Sequence, residues 1–326
     1  MVWIKFIVCS LVIFFAGHKV AKYGDMIAEK TGLCRAWLGL TLLAAVTSLP
    51  ELANAVSATT ANLPELAVGD ILGACMINVL TLAMLDIILW FRGRKSIFIK
   101  SEKNNILSAL FGMGLLSFVA FSLAVTRYFI DFQIFGVSGY TLAIVLIYLV
   151  IQKILYSQSQ AEKTEEKKHY DQVSSFKTYL GFLLCALIVI IAGGWLPFIG
   201  AEIVEIMGWG RTFVAVLFLG FATTLPEATV SLSALRLGSV GMGIGNLLGS
   251  NIFNVAILFV ADVFYQPGDL LTAVPVSMIF AALFGALLTF IVFLALEKRI
   301  KNRIPALLIV LCYLLSLFLL FKANAI

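Results

Sequence analysis

The pentapeptide Thr47-Ser-Leu-Pro-Glu51 returns as Thr223-Thr-Leu-Pro-Glu227, 176 residues further along a chain of 326. The same gapless offset pairs Ser57 with Ser233, Gly69 with Gly245, Gly73 with Gly249, Asn78 with Asn254 and Asp86 with Asp262. Thirteen of the forty positions in 47–86 match 223–262 identically. Chance similarity between apolar segments mostly matches leucine and alanine, whereas these matches include Thr, Pro, Glu, Gly, Asn and Asp. Self-similarity at one long offset marks an internal repeat.

What separates the copies decides how they are related. The chain is 61% hydrophobic and 13% charged, against about 45–50% and about 25% for a soluble domain. That excludes an ordinary soluble enzyme, a disordered protein and a secreted disulfide scaffold. A membrane-spanning helix needs about 20 apolar residues. Apolar runs at roughly 2–20, 33–59, 64–88, 106–126, 134–155, 178–198, 212–234, 241–264, 271–296 and 304–322 supply ten candidates. The first run lacks a basic leader and a small-residue cleavage site, so it reads as a span rather than a signal peptide. The five cysteines, Cys9, Cys34, Cys75, Cys185 and Cys312, show no paired spacing, which argues against a disulfide framework or a metal knuckle. With only His18 and His169, a histidine-based zinc site or a serine–histidine dyad is not expected.

Five spans lie between the two copies, so the second enters the bilayer in the opposite sense. The fold class is therefore an all-α polytopic membrane protein, ten transmembrane helices arranged as two inverted five-helix repeats. The halves are 1–156 and 178–326, joined by a polar linker at 157–177. Inverted repeats characterise many secondary transporters, whose substrates bind near the midplane where interrupted helices meet. Lysine and arginine fix the orientation. One set of alternate loops carries 19 of the 23 basic residues, leaving Lys5, Arg127, Arg211 and Lys322 on the other side. This predicts an integral protein of the plasma (inner) membrane with both termini outside and the linker cytoplasmic. The bilayer accounts for the net charge of +5 without nucleic acid, and no obligatory protein partner is evident.

Glu51 and Glu227 lie inside apolar segments with no basic residue nearby in sequence. A charge at the bilayer centre costs at least about 2.5–3.5 kcal/mol, and such residues mark function by default. Pro50 and Pro226 precede them, and an interior proline breaks one helical hydrogen bond, which should free carbonyls near Val46 and Ala222. Thr47 and Ser48 stand at i−4 and i−3 from Glu51, as Thr223 and Thr224 do from Glu227, so their hydroxyls are expected on the side of their own acid. In the next helix, Gly69 and Gly73, then Gly241, Gly245 and Gly249, recur every four residues, a stripe that permits close helix approach. Asn246, Ser250 and Asn254 make a polar line beside it, and Asp70, Ala74 and Asn78 are its first-half counterparts. Two glutamates, two asparagines and nearby hydroxyls form an oxygen-only set of about −2 charge, which suits one divalent cation or competing monovalent ones. Nothing soft repeats, because Cys75 aligns with Asn251, so a thiolate site is disfavoured.

These residues resemble the alpha repeats of the sodium/calcium exchanger family, carried here by 39–88 and 215–264. The second repeat holds the pattern nearly complete, in Thr223-Thr-Leu-Pro-Glu227 and Gly245-Asn-Leu-Leu-Gly-Ser-Asn-Ile-Phe-Asn254. The resemblance implies a ten-helix antiporter that moves Ca2+ against Na+, both as transported ligands with no cofactor. It implies an ion site at Glu51, Glu227, Asn78 and Asn254, with Thr47, Ser48, Thr223, Thr224 and Ser250 completing flanking sodium sites. It also implies that the first helix of each half slides to gate access. The first repeat departs from the pattern at Asp70 and Ala74. Ala74 deletes a hydroxyl from a sodium site, and Asp70 adds a carboxylate near the pathway.

Other readings remain open. A proton-coupled Ca2+ antiporter would use the same glutamates, although the hydroxyl-rich motif favours sodium. A cation channel would need a filter-like loop, which is not visible. An intramembrane protease is disfavoured because Ala67-Val-Gly-Asp70 lacks the first glycine of the aspartyl motif; no enzymatic activity is expected. Asp86 and Asp262 read as interfacial or helix-terminal residues, with a part in ion entry or exit as the alternative, and Glu65 as a loop or helix-start acid.

Overall fold

The computed structural model describes residues 1–31, 43–99, 102–129, 132–134, 136–161, 175–236, 238–300 and 303–323. The expected cytoplasmic linker therefore falls largely outside the described residues, as do Cys34, Arg35 and His169.

Helices α1 (Val2–Thr31), α2 (Ala44–Thr47), α3 (Leu49–Thr60), α4 (Pro64–Phe91), α5 (Lys103–Tyr128) and α6 (Gly139–Ala161) make the first half. The second contains α7 (Ser175–Met207), α8 (Arg211–Val214), a π-helical turn at Ala215–Leu219, α9 (Gly220–Thr223), α10 (Leu225–Arg236), α11 (Val240–Phe264), α12 (Leu270–Ala273), α13 (Ser277–Leu296) and α14 (Ile304–Ala323). Among the described residues, eight helices are long and apolar enough to cross a membrane. The pair Arg211–Thr223 and Leu225–Arg236, bent by 47°, makes a ninth. The tenth expected span, 33–59, is described only from Leu43 onward, as α2 and α3. Several helices overrun the apolar runs that announced them: α1 continues to Thr31 and α7 to Met207. Burial of one face is enough to hold a helix beyond its membrane-thick apolar core.

Two expected spans are shorter at their start. The run at 134–155 opens with a small antiparallel hairpin pairing Gln133 with Ser138 and Ile134 with Val137, turned by Gly136 at φ +80°. The run at 271–296 divides between α12 and α13 beside Pro275, whose missing N–H cannot continue the ladder.

The packing repeats with the sequence. α4 and α11 are the most buried spans and lie against each other at the centre. Each is flanked by helices of the opposite half: α4 by α13 and α14, α11 by α5 and α6. The α1–α7 pair lies along the outside, α1 against α10 and α7 against α3. Cys75 and Asn251 occupy equivalent positions in the two copies, and they meet: Asn251 Nδ2 donates to the Cys75 carbonyl at 3.1 Å. Equivalent residues touch only near the axis relating the halves, so the pseudo-two-fold passes between α4 and α11.

The repeated aspartates staple helix ends. Asp86 accepts from the Ile97 N–H at 2.8 Å and pairs with Arg303 Nη1 at 2.6 Å. Asp262 accepts from the Ser138 N–H at 2.8 Å, Thr141 Oγ1 at 2.5 Å and the Leu270 N–H at 3.1 Å. Each ties down the loop after its own helix and the start of the opposite half's last helix. Glu65, at the start of α4, pairs with Arg211 at 3.3 Å.

Glycine permits the closest crossing. A Cβ on Gly73 would lie 2.6 Å from the Val216 Cα, and one on Gly220 2.8 Å from the Ala74 nitrogen. α4 therefore meets the π-helical turn backbone to backbone. Gly73→Ala is expected to lower the thermal midpoint of the purified protein by an amount equivalent to about 1–3 kcal/mol. Gly114→Ala, where a Cβ meets nothing within 4 Å, should not lower it; equal losses would contradict this packing. Asp86→Ala, which leaves the Arg303 guanidinium only the Asp86 and Arg94 backbone carbonyls, is expected to cost about 1–3 kcal/mol, measured in the same assay.

Candidate ion-binding site

The two motif helices break at equivalent residues. The chain leaves helical geometry at Ser48 (ψ 15°) between α2 and α3, and at Thr224 (ψ 1°) between α9 and α10. Each break falls two residues before its proline. It places the glutamate in the first turn of the following helix segment, where partial positive charge from the unsatisfied N–H groups favours an anion.

Both breaks are covered by glycine. A Cβ on Gly193 of α7 would lie 2.8 Å from the Pro50 carbonyl oxygen, and one on Gly17 of α1 2.8 Å from the Pro226 Cβ. Gly17 and Gly193 are themselves 176 residues apart. The outer pair thus seats on the two prolines through matching glycines. α1 and α7 also join to each other through Lys5 and Glu202 at 2.6 Å.

Glu51, Glu227, Asp70, Asn78, Asn254, Thr47, Ser48, Thr223, Thr224 and Ser250 are all buried. Glu51 accepts no hydrogen bond at either carboxylate oxygen, and Glu227 Oε2, Asn78 Oδ1 and Asn254 Oδ1 are likewise without partners. No ion pair among the described residues involves either glutamate. Buried polar atoms are normally satisfied, so a concentration of orphaned oxygens around two acids is unusual. It has the composition of a hard-cation site. Among the described residues no three His, Cys, Asp or Glu side chains converge as a metal cluster. A cation here would have to draw on amide and hydroxyl oxygens as well as carboxylates.

The hydroxyls do not serve the acids they were expected to serve. Ser48 Oγ reaches across to Glu227 Oε1 at 2.9 Å, and Thr47 Oγ1 lies 3.4 Å from Ser250 Oγ. Thr223 Oγ1 reaches Asp70 Oδ1 at 3.0 Å, with the Leu219 carbonyl at 3.1 Å as a second acceptor for its one proton. All three side-chain contacts cross between halves. The break rotates the segment before each proline away from the one after it, so helical i−4 and i−3 spacing no longer applies. Thr224 turns back to its own helix, donating to the Gly220 carbonyl at 2.7 Å, the common local bond of a helical threonine. Glu51 consequently has no counterpart to the Ser48–Glu227 bond.

Further amides join the site, among them Asn246 of the polar line and Asn54 and Asn251, to which the sequence assigned no role. Asn251 Oδ1 accepts from Asn78 Nδ2 at 3.0 Å, which leaves Asn78 Oδ1 as its free atom. Asn246 Nδ2 donates to Ser231 Oγ at 3.1 Å and to the Glu227 carbonyl at 3.3 Å. Asn54 Nδ2 donates to Asp70 Oδ2 at 2.7 Å. Asn54 stands three residues after Glu51, a helical spacing that could have drawn attention to it.

The sequence model of the sodium/calcium exchanger protein family matches residues 1–156 and 177–322. The chain is 25% identical to membrane protein MJ0091 of Methanocaldococcus jannaschii over 254 residues, 77% of each protein. It is 25% identical to CaxA of Alkalimonas amylolytica over 327 residues, 98% of each. Its fold is that of the sodium–calcium exchanger NCX_Mj, with a TM-score of 0.64 at 18% identity, covering 96% of both chains. With two inverted copies of one motif and a family match across both halves, the chain belongs to the sodium/calcium exchanger protein family.

Proposed function

We propose that this protein exchanges Na+ for Ca2+ across the membrane by alternating access, binding both at one site between the halves. Family membership supports cation antiport in general. The observation that carries the finer reading is the pair Glu51 and Glu227, buried from opposite halves, with three of four carboxylate oxygens lacking any hydrogen bond. Two uncompensated acids in the bilayer are costly, and a divalent cation offsets both charges at once. Asn78 and Asn254 supply neutral oxygens, and the hydroxyls of Thr47, Ser48, Ser250 and Thr223, which all make contacts across the halves, complete monovalent sites; the Thr224 hydroxyl, bonded to the Gly220 carbonyl, is the exception.

The chemistry of exchange follows from competition for these oxygens. Ca2+ draws on both carboxylates, whereas Na+ ions distribute over carboxylate, amide and hydroxyl oxygens. Either load neutralises the site, and a neutral site lets the surrounding helices close over it. An empty site, with its charges exposed to low dielectric, resists closure. Antiport results, because only loaded states switch. The moving part is the α1–α7 pair, which seats on Pro50 and Pro226 through glycines. The basic-residue distribution supports termini outside and the linker in the cytoplasm.

Reconstituted into Na+-loaded vesicles, the protein is expected to accumulate Ca2+ only while an outward Na+ gradient exists. Glu51→Gln and Glu227→Gln should each reduce that uptake by at least about 100-fold, equivalent to losing about 2.7 kcal/mol of ion stabilisation, without loss of folded protein. Retained transport in both variants would overturn the site assignment. Uptake driven by a pH gradient alone would replace Na+ with H+ as the coupling ion. Downhill flux with no coupling would identify a channel.

A further inference from the structure

The two halves differ most at Asp70 and Ala74, where the second half has Asn246 and Ser250. Thr47 meets a hydroxyl at Ser250, 3.4 Å away. Its counterpart Thr223 would meet position 74, where alanine offers none, and it reaches Asp70 Oδ1 instead at 3.0 Å. Asp70 Oδ2 accepts from Asn54 Nδ2 at 2.7 Å. Both carboxylate oxygens are thus occupied by protein donors, so Asp70 is poorly placed to bind an ion itself.

Its effect falls on its two partners. A carboxylate accepting at both oxygens takes only the NH2 end of an amide, which turns the Asn54 carbonyl oxygen away from it. That oxygen is buried and has no hydrogen-bond partner. Likewise, Thr223 has Asp70 Oδ1 at 3.0 Å and the Leu219 carbonyl at 3.1 Å as acceptors for its one proton, so its oxygen keeps lone pairs for something else. Asn54 shares a helix face with Glu51, whose two oxygens are also unpartnered. Val230 stands at the equivalent position in the second half, so no such amide exists there.

We propose that Asn54 is a cation ligand and Asp70 its positioning residue, together building with Glu51 and Thr223 a first-half Na+ subsite in place of the one Ala74 removes. Two neutral oxygens and one shared carboxylate suit a hard monovalent cation better than a divalent one, which prefers more carboxylates. The assignment rests on the exchange reading for the role of Glu51, but it is tested by ion-dependent stability, without a transport assay.

The test is the thermal midpoint of the purified full chain in detergent, titrated with NaCl at constant ionic strength against choline chloride, with KCl and CaCl2 titrations beside it. Na+ should stabilise the wild type and K+ should not. In Asn54→Ala the Na+ concentration for half-maximal stabilisation should rise at least about fivefold, and by more than the Ca2+ value rises. Asp70→Asn should shift the same way. The double variant should fall short of the product of the two single effects, because one residue acts through the other. If Asn54→Ala does not fold, Asn54→Thr and Asp70→Asn carry the comparison. An unchanged Na+ value, equal shifts for Na+ and Ca2+, or no Na+ stabilisation of the wild type would each overturn the subsite. Stabilisation by Na+ but never by Ca2+ would leave the subsite standing and overturn the exchange reading.

Discussion

Two glutamates, one from each half, lie fully buried with no basic side chain among the described residues to balance them. Everything around the pair is arranged to hold it there. Prolines interrupt the helices so that each acid begins a new segment, glycines let neighbouring backbones come within contact of the breaks, and the central helices α4 and α11 supply amides rather than cations. A lysine or arginine partner would satisfy the acids and end their use. On the proposed exchange reading, a mobile ion takes that place and couples the energy of the buried charge to what the protein carries.

The pseudo-two-fold is followed closely by the backbone and loosely by the polar side chains. Breaks, prolines, seating glycines and stapling aspartates all recur at the same offset. The hydrogen bonds do not: Ser48 serves Glu227 while Thr224 serves its own helix, and Thr47 meets Ser250 while Thr223 meets Asp70. A helical threonine finds a local carbonyl that a residue at a different break geometry does not reach, and one alanine removes the partner that symmetry would supply. On the proposed reading this asymmetry lets the two half-sites differ in the ions they hold, since identical half-sites would bind ions identically.

Much of this was legible in the sequence. Apolar runs gave nearly every described helix its location, because bilayer thickness sets a length that hydropathy records. The repeated motif announced the inversion and both acids, and the prolines announced the breaks. Partner choice was not legible. Helical spacing placed Thr47 and Ser48 with Glu51, but the break turns them toward the other half, and only the three-dimensional meeting of α2 with α10 and α11 shows that. The hairpin at 133–138 was hidden inside an apolar run. Asn54 was visible at helical spacing from Glu51, yet the repeat comparison passed over it because its counterpart is valine.

The central claim is that both glutamates hold one cation together rather than one each. Equilibrium binding of radioactive Ca2+ to the purified protein tests it directly. The account predicts a single class of site, displaced by Na+, that vanishes in Glu51→Gln and equally in Glu227→Gln. Binding that survives in either variant at wild-type affinity, or that falls by half in each, would mean two independent sites and would contradict it.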